Sequence, residues 1–336
     1  MKYHNFNFCN ALLFSLLLLT GCSTHAIGIP LDTPTFIAAS TSMPSQTYTI
    51  GKIAFVSERD GKFSIIVMNA DGSDQNNLTD NLVDGLNPVW SPDGENIAFA
   101  SHHNEISQIF TMKADGSDQK QLTNDDAGSY NPAWSSDGQY IVFISDRDKV
   151  LSDDGIPISE VYIMKSDGSD QKRLTYNSDF ERDLSWSSDG DTIAVSVNPR
   201  AASGIYFPEE IYLMDLNGIS QKQLTRFASY NSHPSWSPNG EFIAFESYGS
   251  GESNICIIKA DGSDQSCLIR STNTDSSPFY VNNLSPSWSP DGNYIVFSSN
   301  RDGDYDLYII RTDGTDLTQL TNEPGDETSP AWSLMP

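Results

Sequence analysis

A motif built around tryptophan recurs along most of this sequence, and it constrains the fold more than any other feature. Each of the six tryptophans is followed by serine, and successive tryptophans are 44, 52, 50, 52 and 44 residues apart. This spacing is typical of the blades of a β-propeller. Because each tryptophan occupies the same place in its repeat, we expect all of them to be core residues of the blades. They are Trp90, Trp134, Trp186, Trp236, Trp288 and Trp332.

Between tryptophans, each repeat carries the signals of four short strands. In the first repeat, Pro92-Asp93-Gly94 predicts a hairpin turn, because glycine adopts a positive φ without steric cost. An apolar strand at Ile97-Ala98-Phe99 follows, and a third strand runs from Ile109 to Met112. A second Asp-Gly turn leads to a fourth strand that ends at Leu122-Thr123. Four strands joined by short turns predict a blade that buries its faces against its neighbours.

The two ends of the repeat region complement each other. Residues 53 to 79 supply the second, third and fourth strands of a blade, with no tryptophan strand ahead of them. The strand of Trp332 has no partner strands after it. We therefore predict an all-β fold: a six-bladed β-propeller of four antiparallel strands per blade, closed by the C-terminal strand joining the N-terminal blade. Such closure removes exposed sheet edges.

The first residues have the pattern of a bacterial export signal. Lys2 precedes an apolar run from Ala11 to Leu19, which is too short to span a bilayer and suits a signal peptide. The following Leu19-Thr20-Gly21-Cys22 resembles a lipobox, whose cysteine receives diacylglycerol before cleavage. An ordinary secretory signal with a chance cysteine is the alternative. We expect Cys22 to be lipidated and the chain to be anchored to the cell envelope, on its periplasmic or cell-surface face.

The predicted organisation therefore has three parts. Residues 1–21 form the signal peptide, residues 22–50 a Ser/Thr/Pro-rich tether, and residues 51–336 the propeller. The chain has 19 basic and 45 acidic residues, a net charge of −26. Charge of this sign repels phosphate backbones and anionic lipid headgroups. We thus expect no nucleic-acid partner, and membrane contact only through the lipid anchor.

The repeat units resemble those of the TolB C-terminal propeller. They read Asn-Pro-x-Trp-Ser-Pro-Asp-Gly-x-x-Ile-Ala-Phe and Ala-Asp-Gly-Ser-Asp-x-x-x-Leu-Thr, and the resemblance covers residues 51–336. It implies a TolB-like six-bladed propeller. The sequence differs from TolB itself in lacking the α/β domain that precedes the propeller there, and in carrying a lipid-anchor motif. The resemblance also makes peptidoglycan-associated proteins the first candidates for a partner.

No catalytic residue is predicted. The sequence contains no HExxH, Cys-x-x-Cys or Gly-x-Ser-x-Gly motif. A propeller enzyme of the glycan lyase or hydrolase type stays open as an alternative, as does a calcium-dependent glycan binder. Calcium is the only cofactor that the sequence suggests. The alternating carboxylates of Asp302, Asp304 and Asp306 are weak candidate ligands, because they lack the glycine and terminal glutamate of an EF-hand and a solvated loop is favoured.

Two cysteines flank one of the Asp-Gly turns. Cys256 and Cys267 lie at near-equal distances from Asp261-Gly262, on the two arms of one predicted hairpin. In an exported chain these residues could form a disulfide. Whether they do depends on the strand register, because cross-strand cysteines must lie close together.

The two ends of the predicted propeller differ. Turns between strands one and two, and three and four, are short and uniform, and they define the short-turn end. Irregular segments at residues 145–160, 196–210 and 270–285 define the opposite, long-loop end. Long loops on a rigid scaffold are usual binding sites. We expect a monomeric propeller that binds an envelope protein or peptide through this end; loops without a selected partner are the alternative. The candidate contact residues are Asp153, Asp154, Tyr206, Phe207, Glu209, Glu210, Asp275, Phe279 and Tyr280.

Overall fold

Six four-stranded antiparallel sheets make up the described part of the chain. The computed structural model describes residues 51–59, 61–79, 84–103, 106–151, 155, 158–177, 179–199, 207–218, 221–226, 230–249, 251–269 and 280–333. The predictions for the signal peptide, the tether and Cys22 lie outside these residues. No helix of the described ranges is long and apolar enough to cross a membrane.

Blades 1 to 5 each consist of four consecutive strands. Blade 1 holds β4 (Gly85–Trp90), β5 (Asn96–His103), β6 (Ile106–Lys113) and β7 (Lys120–Gln121). Blade 2 holds β8 (Ser129–Trp134), β9 (Tyr140–Ser145), β10 (Glu160–Lys165) and β11 (Lys172–Arg173), and blade 3 holds β12 (Phe180–Trp186), β13 (Thr192–Asn198), β14 (Glu210–Asp215) and β15 (Gln221–Gln223). Blade 4 holds β16 (Tyr230–Trp236), β17 (Phe242–Gly249), β18 (Glu252–Lys259) and β19 (Ser266–Cys267), and blade 5 holds β20 (Asn283–Trp288), β21 (Tyr294–Ser299), β22 (Asp306–Arg311) and β23 (Thr318–Gln319).

Blade 6 is built from both ends of the repeat region. It contains β1 (Lys52–Ser57), β2 (Ser64–Asn69) and β3 (Asn76–Asn77), with β24 (Glu327–Trp332) paired to β1. In that antiparallel pair, Trp332 lies opposite Ile53. The prediction of an all-β, six-bladed propeller closed by its C-terminal strand is confirmed.

The serine after each of the first five tryptophans fixes the turn that follows it. In blade 1, the Ser91 hydroxyl donates to Asp93 Oδ1 at 2.5 Å and accepts from the backbone N–H of Asn96 at 3.0 Å. Asp93 Oδ1 also accepts from the N–H of Glu95 at 3.0 Å, while Gly94 has φ of 69°. Blades 2 to 5 repeat this arrangement, with Asn239 in place of aspartate in blade 4. The Trp-Ser-x-Asp-Gly pattern therefore encodes a complete, internally hydrogen-bonded hairpin.

The threonine that ends most repeats joins the fourth strand to the third. In blade 1, Thr123 Oγ1 accepts the backbone N–H of Ile109 at 2.9 Å. Equivalent bonds are made by Thr79, Thr175, Thr225 and Thr321. In blade 4, Ile269 takes this position. There a disulfide between Cys256 and Cys267 joins the same two strands, at directly paired positions whose Cα atoms are 3.8 Å apart.

The core lies between neighbouring blades. The cluster around Trp90 combines Ala54 and Ile65 of blade 6 with Ile97 and Phe99 of blade 1. Trp90, Trp186, Trp288 and Trp332 are at most 9% exposed, and Trp134 and Trp236 are partly buried against the same kind of cluster. Because each tryptophan packs against the preceding blade as well as its own, each blade depends on its neighbours.

Replacing Trp332 by alanine tests the closure. The side chain is buried and belongs to the strand that completes blade 6, so its loss should lower the free energy of unfolding by about 3 to 5 kcal/mol. Urea denaturation measures the change. Leu317→Ala is the control, since Leu317 is 43% exposed and its loss should cost less than about 0.5 kcal/mol. Equal stability of the Trp332 variant and the wild type would show that the last strand is not part of the folded ring.

Candidate functional site

Exposed apolar side chains concentrate at the long-loop end of the propeller. Eleven large hydrophobic residues of the described chain are exposed, and eight of them lie on this end. The three at the short-turn end are Tyr140, Leu216 and Leu317. Those at the long-loop end are Phe63, Val150, Leu151, Tyr176, Phe207, Tyr230, Tyr248 and Tyr280. An uneven distribution of this kind is typical of a surface that contacts a partner.

Four of the predicted contact residues are described. Phe207 is 52% and Tyr280 62% exposed, so both rings are available to a partner. Glu209 is mostly buried, with its side chain 13% exposed. Glu210 is buried. The other five, Asp153, Asp154, Tyr206, Asp275 and Phe279, lie outside the described residues.

The assignment of Glu210 to the contact surface is corrected by the structure. Its side chain lies inside the propeller at 6% exposure, where the Thr225 hydroxyl donates to its carboxylate. Asn231 Nδ2 of blade 4 also donates to it, at 2.8 Å. Glu210 is the first residue of β14, so it belongs to the strand and not to the loop before it. Its role is to tie blade 3 to blade 4.

Two exposed tyrosines of blade 4 were not predicted. Tyr230 begins β16 and Tyr248 lies near the end of β17, and their ring centroids are 6.4 Å apart. The signal that could have identified them is position: both sit where a strand meets the long-loop end. Because both residues belong to strands, they are not part of the irregular loop segments.

A ring of polar residues lines the central channel, one from each blade and each three residues before its tryptophan. A bulge interrupts the pairing of every tryptophan strand near this position. Five of the six residues have a positive φ near 50°. This backbone conformation interrupts the regular alternation of side chains along the strand and reorients the polar side chain. The ring consists of Asn87, Asn131, Asp183, His233, Ser285 and Ser329. Sequence reasoning missed it, although the fixed spacing from tryptophan was available.

One side of this ring forms a connected polar network. Asn87 Nδ2 donates to Asn131 Oδ1 at 2.5 Å, and Asn131 Nδ2 donates to Asp183 Oδ1 at 3.0 Å. The ring of His233 lies between two carboxylates, with Nε2 3.7 Å from Asp183 and Nδ1 3.3 Å from Glu246. Burial alone would lower the pKa of His233, but the Asp183 and Glu246 carboxylates outweigh it and raise the pKa to about 10. The imidazole is therefore protonated at neutral pH.

Beside this network lies a cavity of about 590 Å³ that opens at the long-loop end. We call it the acidic pocket, because Glu181, Asp183 and Glu209 line it. Burial, together with the nearby Glu160 carboxylate, raises the pKa of Glu181 to about 8. Burial and the Asp183 carboxylate raise the pKa of Glu209 to about 7. Carboxyl groups with such pKa values respond strongly to a charged ligand.

The weak calcium candidates do not converge. Asp302 accepts a hydrogen bond from the Tyr308 hydroxyl, and Asp304 Oδ2 accepts the N–H of Gly325 at 3.1 Å. Asp306 is buried, and its carboxylate binds Gln319 and Thr321. The described residues contain no group of three or more His, Cys, Asp or Glu side chains arranged to hold a metal ion. Each of the three carboxylates thus accepts a hydrogen bond from another residue of the chain.

Two protein-family models match parts of the chain. The family model described as "TolB beta propeller domain" matches residues 38–154, and the solved structures most similar in fold include TolB. The chain belongs to the TolB-like β-propeller family. A second model, described as "Eukaryotic translation initiation factor eIF2A", matches residues 120–302. That match spans more than half of the chain, so the chain also belongs to the family that this second model describes. The two matches overlap at residues 120–154.

The relatives are similar over short stretches. The Tol-Pal system protein TolB of Syntrophus aciditrophicus (strain SB) is 46% identical over 39 residues, 12% of this chain and 9% of that protein. The uncharacterized peptidase YuxL of Bacillus subtilis (strain 168) is 45% identical over 49 residues, 14% of this chain and 8% of that protein. The chain therefore matches less than a tenth of the length of either relative.

Solved structures resemble the chain over most of its length. TolB from Acinetobacter baumannii superposes with a TM-score of 0.68 at 23% identity, covering 84% of this chain and 66% of that one. Oligogalacturonate lyase from Vibrio parahaemolyticus gives a TM-score of 0.53 at 14% identity, covering 82% of this chain and 75% of that one. At these identities the likeness shows a shared fold.

The raised pKa values predict a pH dependence of stability. A group whose pKa is higher in the folded than in the unfolded state contributes stability at low pH, and that contribution is lost as the pH rises through its folded pKa. For Glu181 the loss runs from its unfolded value up to about 8. The melting temperature should therefore fall between about pH 5 and about pH 8, and Glu181→Gln should make that fall shallower.

Calorimetric or fluorescence melting across this pH range provides the measurement. Glu95→Gln, an exposed substitution at the short-turn end, is the matched control and should keep the wild-type slope. A Glu181→Gln variant with an unchanged slope would contradict the pKa assignment.

Proposed function

We propose that this chain is a non-catalytic lipoprotein of the bacterial envelope whose propeller binds a protein or peptide through its long-loop end. The observation that carries the proposal is the concentration of exposed aromatic rings on that end, beside the acidic pocket. Exposed aromatics amid charge form the anchors of many protein interfaces, because they bury a large area at a small entropic cost.

The charge of the chain indicates the kind of partner. With a net charge of −26, the propeller attracts a basic patch and repels an acidic one. Complementary charge accelerates association and increases its salt dependence, while the aromatic rings hold the complex together. We therefore expect a basic partner that binds faster at low salt.

The short-turn end uses its polar groups internally. Asp115 Oδ1 accepts both the hydroxyl and the N–H of Ser117, at 2.6 and 2.9 Å. The same pair of bonds occurs at Asp71 and Asp313, and Asp261 Oδ1 accepts the N–H of Ser263 at 2.8 Å. These hydrogen bonds lower the pKa of each carboxyl, so each aspartate is held ionised by its own turn. Side chains engaged in this way serve the fold, and this end of the propeller is the less suited to partner contact.

The envelope location rests on the lipobox at Leu19-Thr20-Gly21-Cys22. Cys22→Ser should abolish lipidation, because only a thiol receives the diacylglycerol group. Fractionation of cells that express the variant should show the protein moving from membranes to the soluble fraction. Cys9→Ser is the matched control, since it removes a cysteine of the signal segment outside the lipobox. Membrane association of the Cys22 variant equal to that of the wild type would contradict the anchor.

An enzyme of the glycan lyase or hydrolase type, or a glycan binder, is the alternative. The likeness to oligogalacturonate lyase, at 14% identity, is a likeness of fold and supplies no catalytic residue. Incubating the protein with envelope glycans and peptides, with and without calcium, distinguishes these functions. An enzyme turns its substrate over, whereas the proposed binder leaves every candidate intact and retains a protein partner.

Removing two aromatic rings tests the partner surface. A pull-down from envelope extract with the purified propeller identifies the partner, with peptidoglycan-associated proteins as first candidates. Phe207→Ala combined with Tyr280→Ala should then weaken its binding by about 2 kcal/mol or more, because both rings are exposed and placed to act as anchors. Titration calorimetry measures the affinity.

The matched control removes two exposed side chains from the opposite end. Leu216→Ala with Leu317→Ala should leave the affinity unchanged, since both lie in turns of the short-turn end. If the leucine variant binds weakly while the aromatic variant binds like wild type, the binding surface lies on the short-turn end instead.

A further inference from the structure

We propose that the acidic pocket receives a single cationic side chain of the partner, a lysine or an arginine. This inference rests on the proposed function and specifies its chemistry: the long-loop end recognises a segment in which a basic residue is flanked by apolar ones. Three features of the pocket support it, namely its unpaired carboxylate oxygens, its charge balance and its position beside the exposed rings.

The first feature is a pair of buried oxygens without partners. Glu181 is 1% exposed, and its Oε1 accepts from Asn177 Nδ2 at 2.6 Å. Its Oε2 is buried and has no hydrogen-bond partner, and the same holds for Glu209 Oε1. A buried acceptor left unpaired costs free energy comparable to a lost hydrogen bond. Both residues line the pocket, so a cationic group that entered it would lie close to both carboxyls.

The second feature is an excess of carboxyl groups over cations. Glu181, Asp183, Glu209 and Glu246 surround the pocket and its rim, against the two cations Arg182 and His233. The two ring nitrogens of His233 already face Asp183 and Glu246. Arg182 lies 3.9 Å from Glu209 and its side chain is 64% exposed. Ion pairs of that length and exposure contribute little, so Glu181 and Glu209 lack a firmly bound cation.

The third feature is the position of the pocket. The carbonyl of Glu209 accepts the N–H of Asn231 at 2.7 Å, which holds the segment of Phe207 against the start of β16, where Tyr230 is exposed. An aromatic surface therefore borders the pocket. The pocket volume of about 590 Å³ also greatly exceeds the roughly 30 Å³ that one water occupies. A long side chain such as that of arginine fits such a space.

The affinity of the acidic pocket for a positively charged side chain should depend on pH. Because the pKa of Glu209 is raised to about 7 and that of Glu181 to about 8, both carboxyls gain negative charge as the pH rises through this range. Affinity for a fixed positive charge should therefore increase with pH. The titratable and charged groups that face the two carboxyls are Tyr130 of β8, Glu160 of β10, Asp179, Arg182 and Asp183 in and before β12, His233 of β16 and Glu246 of β17.

Paired peptides test the inference directly. The probes are the acetylated, amidated peptides Gly-Tyr-Arg-Tyr-Gly and the same sequence with citrulline, which keeps the shape of arginine but carries no charge. At about pH 8 the arginine peptide should bind the full chain about tenfold more tightly, a difference of roughly 1.4 kcal/mol. That ratio should decrease at about pH 6. Nuclear magnetic resonance titration measures both affinities.

A charge-matched control separates the pocket from the general acidity of the chain. The double variant Glu181→Gln/Glu209→Gln should bind both peptides equally. The variant Glu95→Gln/Glu241→Gln removes two exposed carboxylates at the short-turn end and should keep the tenfold preference. Equal binding of the two peptides to wild type, no binding of either peptide, or a preference that survives in the pocket variant would each overturn the inference. A proton shared between Glu160 and Glu181 in place of a ligand would produce the first of these results.

These experiments distinguish a failure of the pocket inference from a failure of the proposed function. If Phe207→Ala with Tyr280→Ala loses the envelope partner while the two peptides bind equally, the partner surface stands and the pocket inference fails. If the aromatic variant keeps the partner, the proposed function fails whatever the peptides do.

Discussion

The pairing of β24 with β1 is the interaction on which the rest of the structure depends. It brings residues far apart in sequence into one sheet, with Trp332 opposite Ile53. Because each blade buries its faces only against neighbouring blades, an open array would leave apolar surface and strand edges exposed at two places. Closing blade 6 with β24 covers both. The uniform Trp-Ser-x-Asp-Gly hairpins and the threonine bonds stabilise each blade, but they do not by themselves form a ring.

Closure gives the propeller two unlike ends, and this difference underlies the functional proposal. At the short-turn end, aspartate carboxylates accept the hydrogen bonds of their own turns. At the long-loop end, the carboxylates of Glu181 and Glu209 are buried with unpaired oxygens, and aromatic rings such as those of Phe207 and Tyr280 face solvent. The polar groups of the short-turn end are therefore bound in local structure. The long-loop end keeps exposed apolar area and carboxyl groups without a firmly bound cation, which a basic, partly apolar partner could contact.

The sequence predicted the fold almost completely and the candidate site only in part, for physical reasons. Every blade packs against its neighbours in the same way, and the same residue types therefore recur at the same positions. For this reason Trp90 and its equivalents form a pattern in the sequence. A binding site has no such periodicity. Glu210 and Phe207 lie in one loop by sequence, yet only Phe207 is exposed, since a strand begins at Glu210. Likewise, Glu181 and Glu209 come together only after folding, and no local sequence pattern predicts that they line the same pocket.

Site-specific photocrosslinking would test most directly which end meets the partner. A photoreactive benzoylphenylalanine placed at Tyr280, which is exposed at the long-loop end, would be compared with one at Leu317, which is exposed at the short-turn end. After irradiation of intact cells, we expect a covalent adduct of defined mass from position 280 and none from position 317. An adduct from position 317 alone would show that the partner binds the short-turn end, and would contradict binding at the long-loop end.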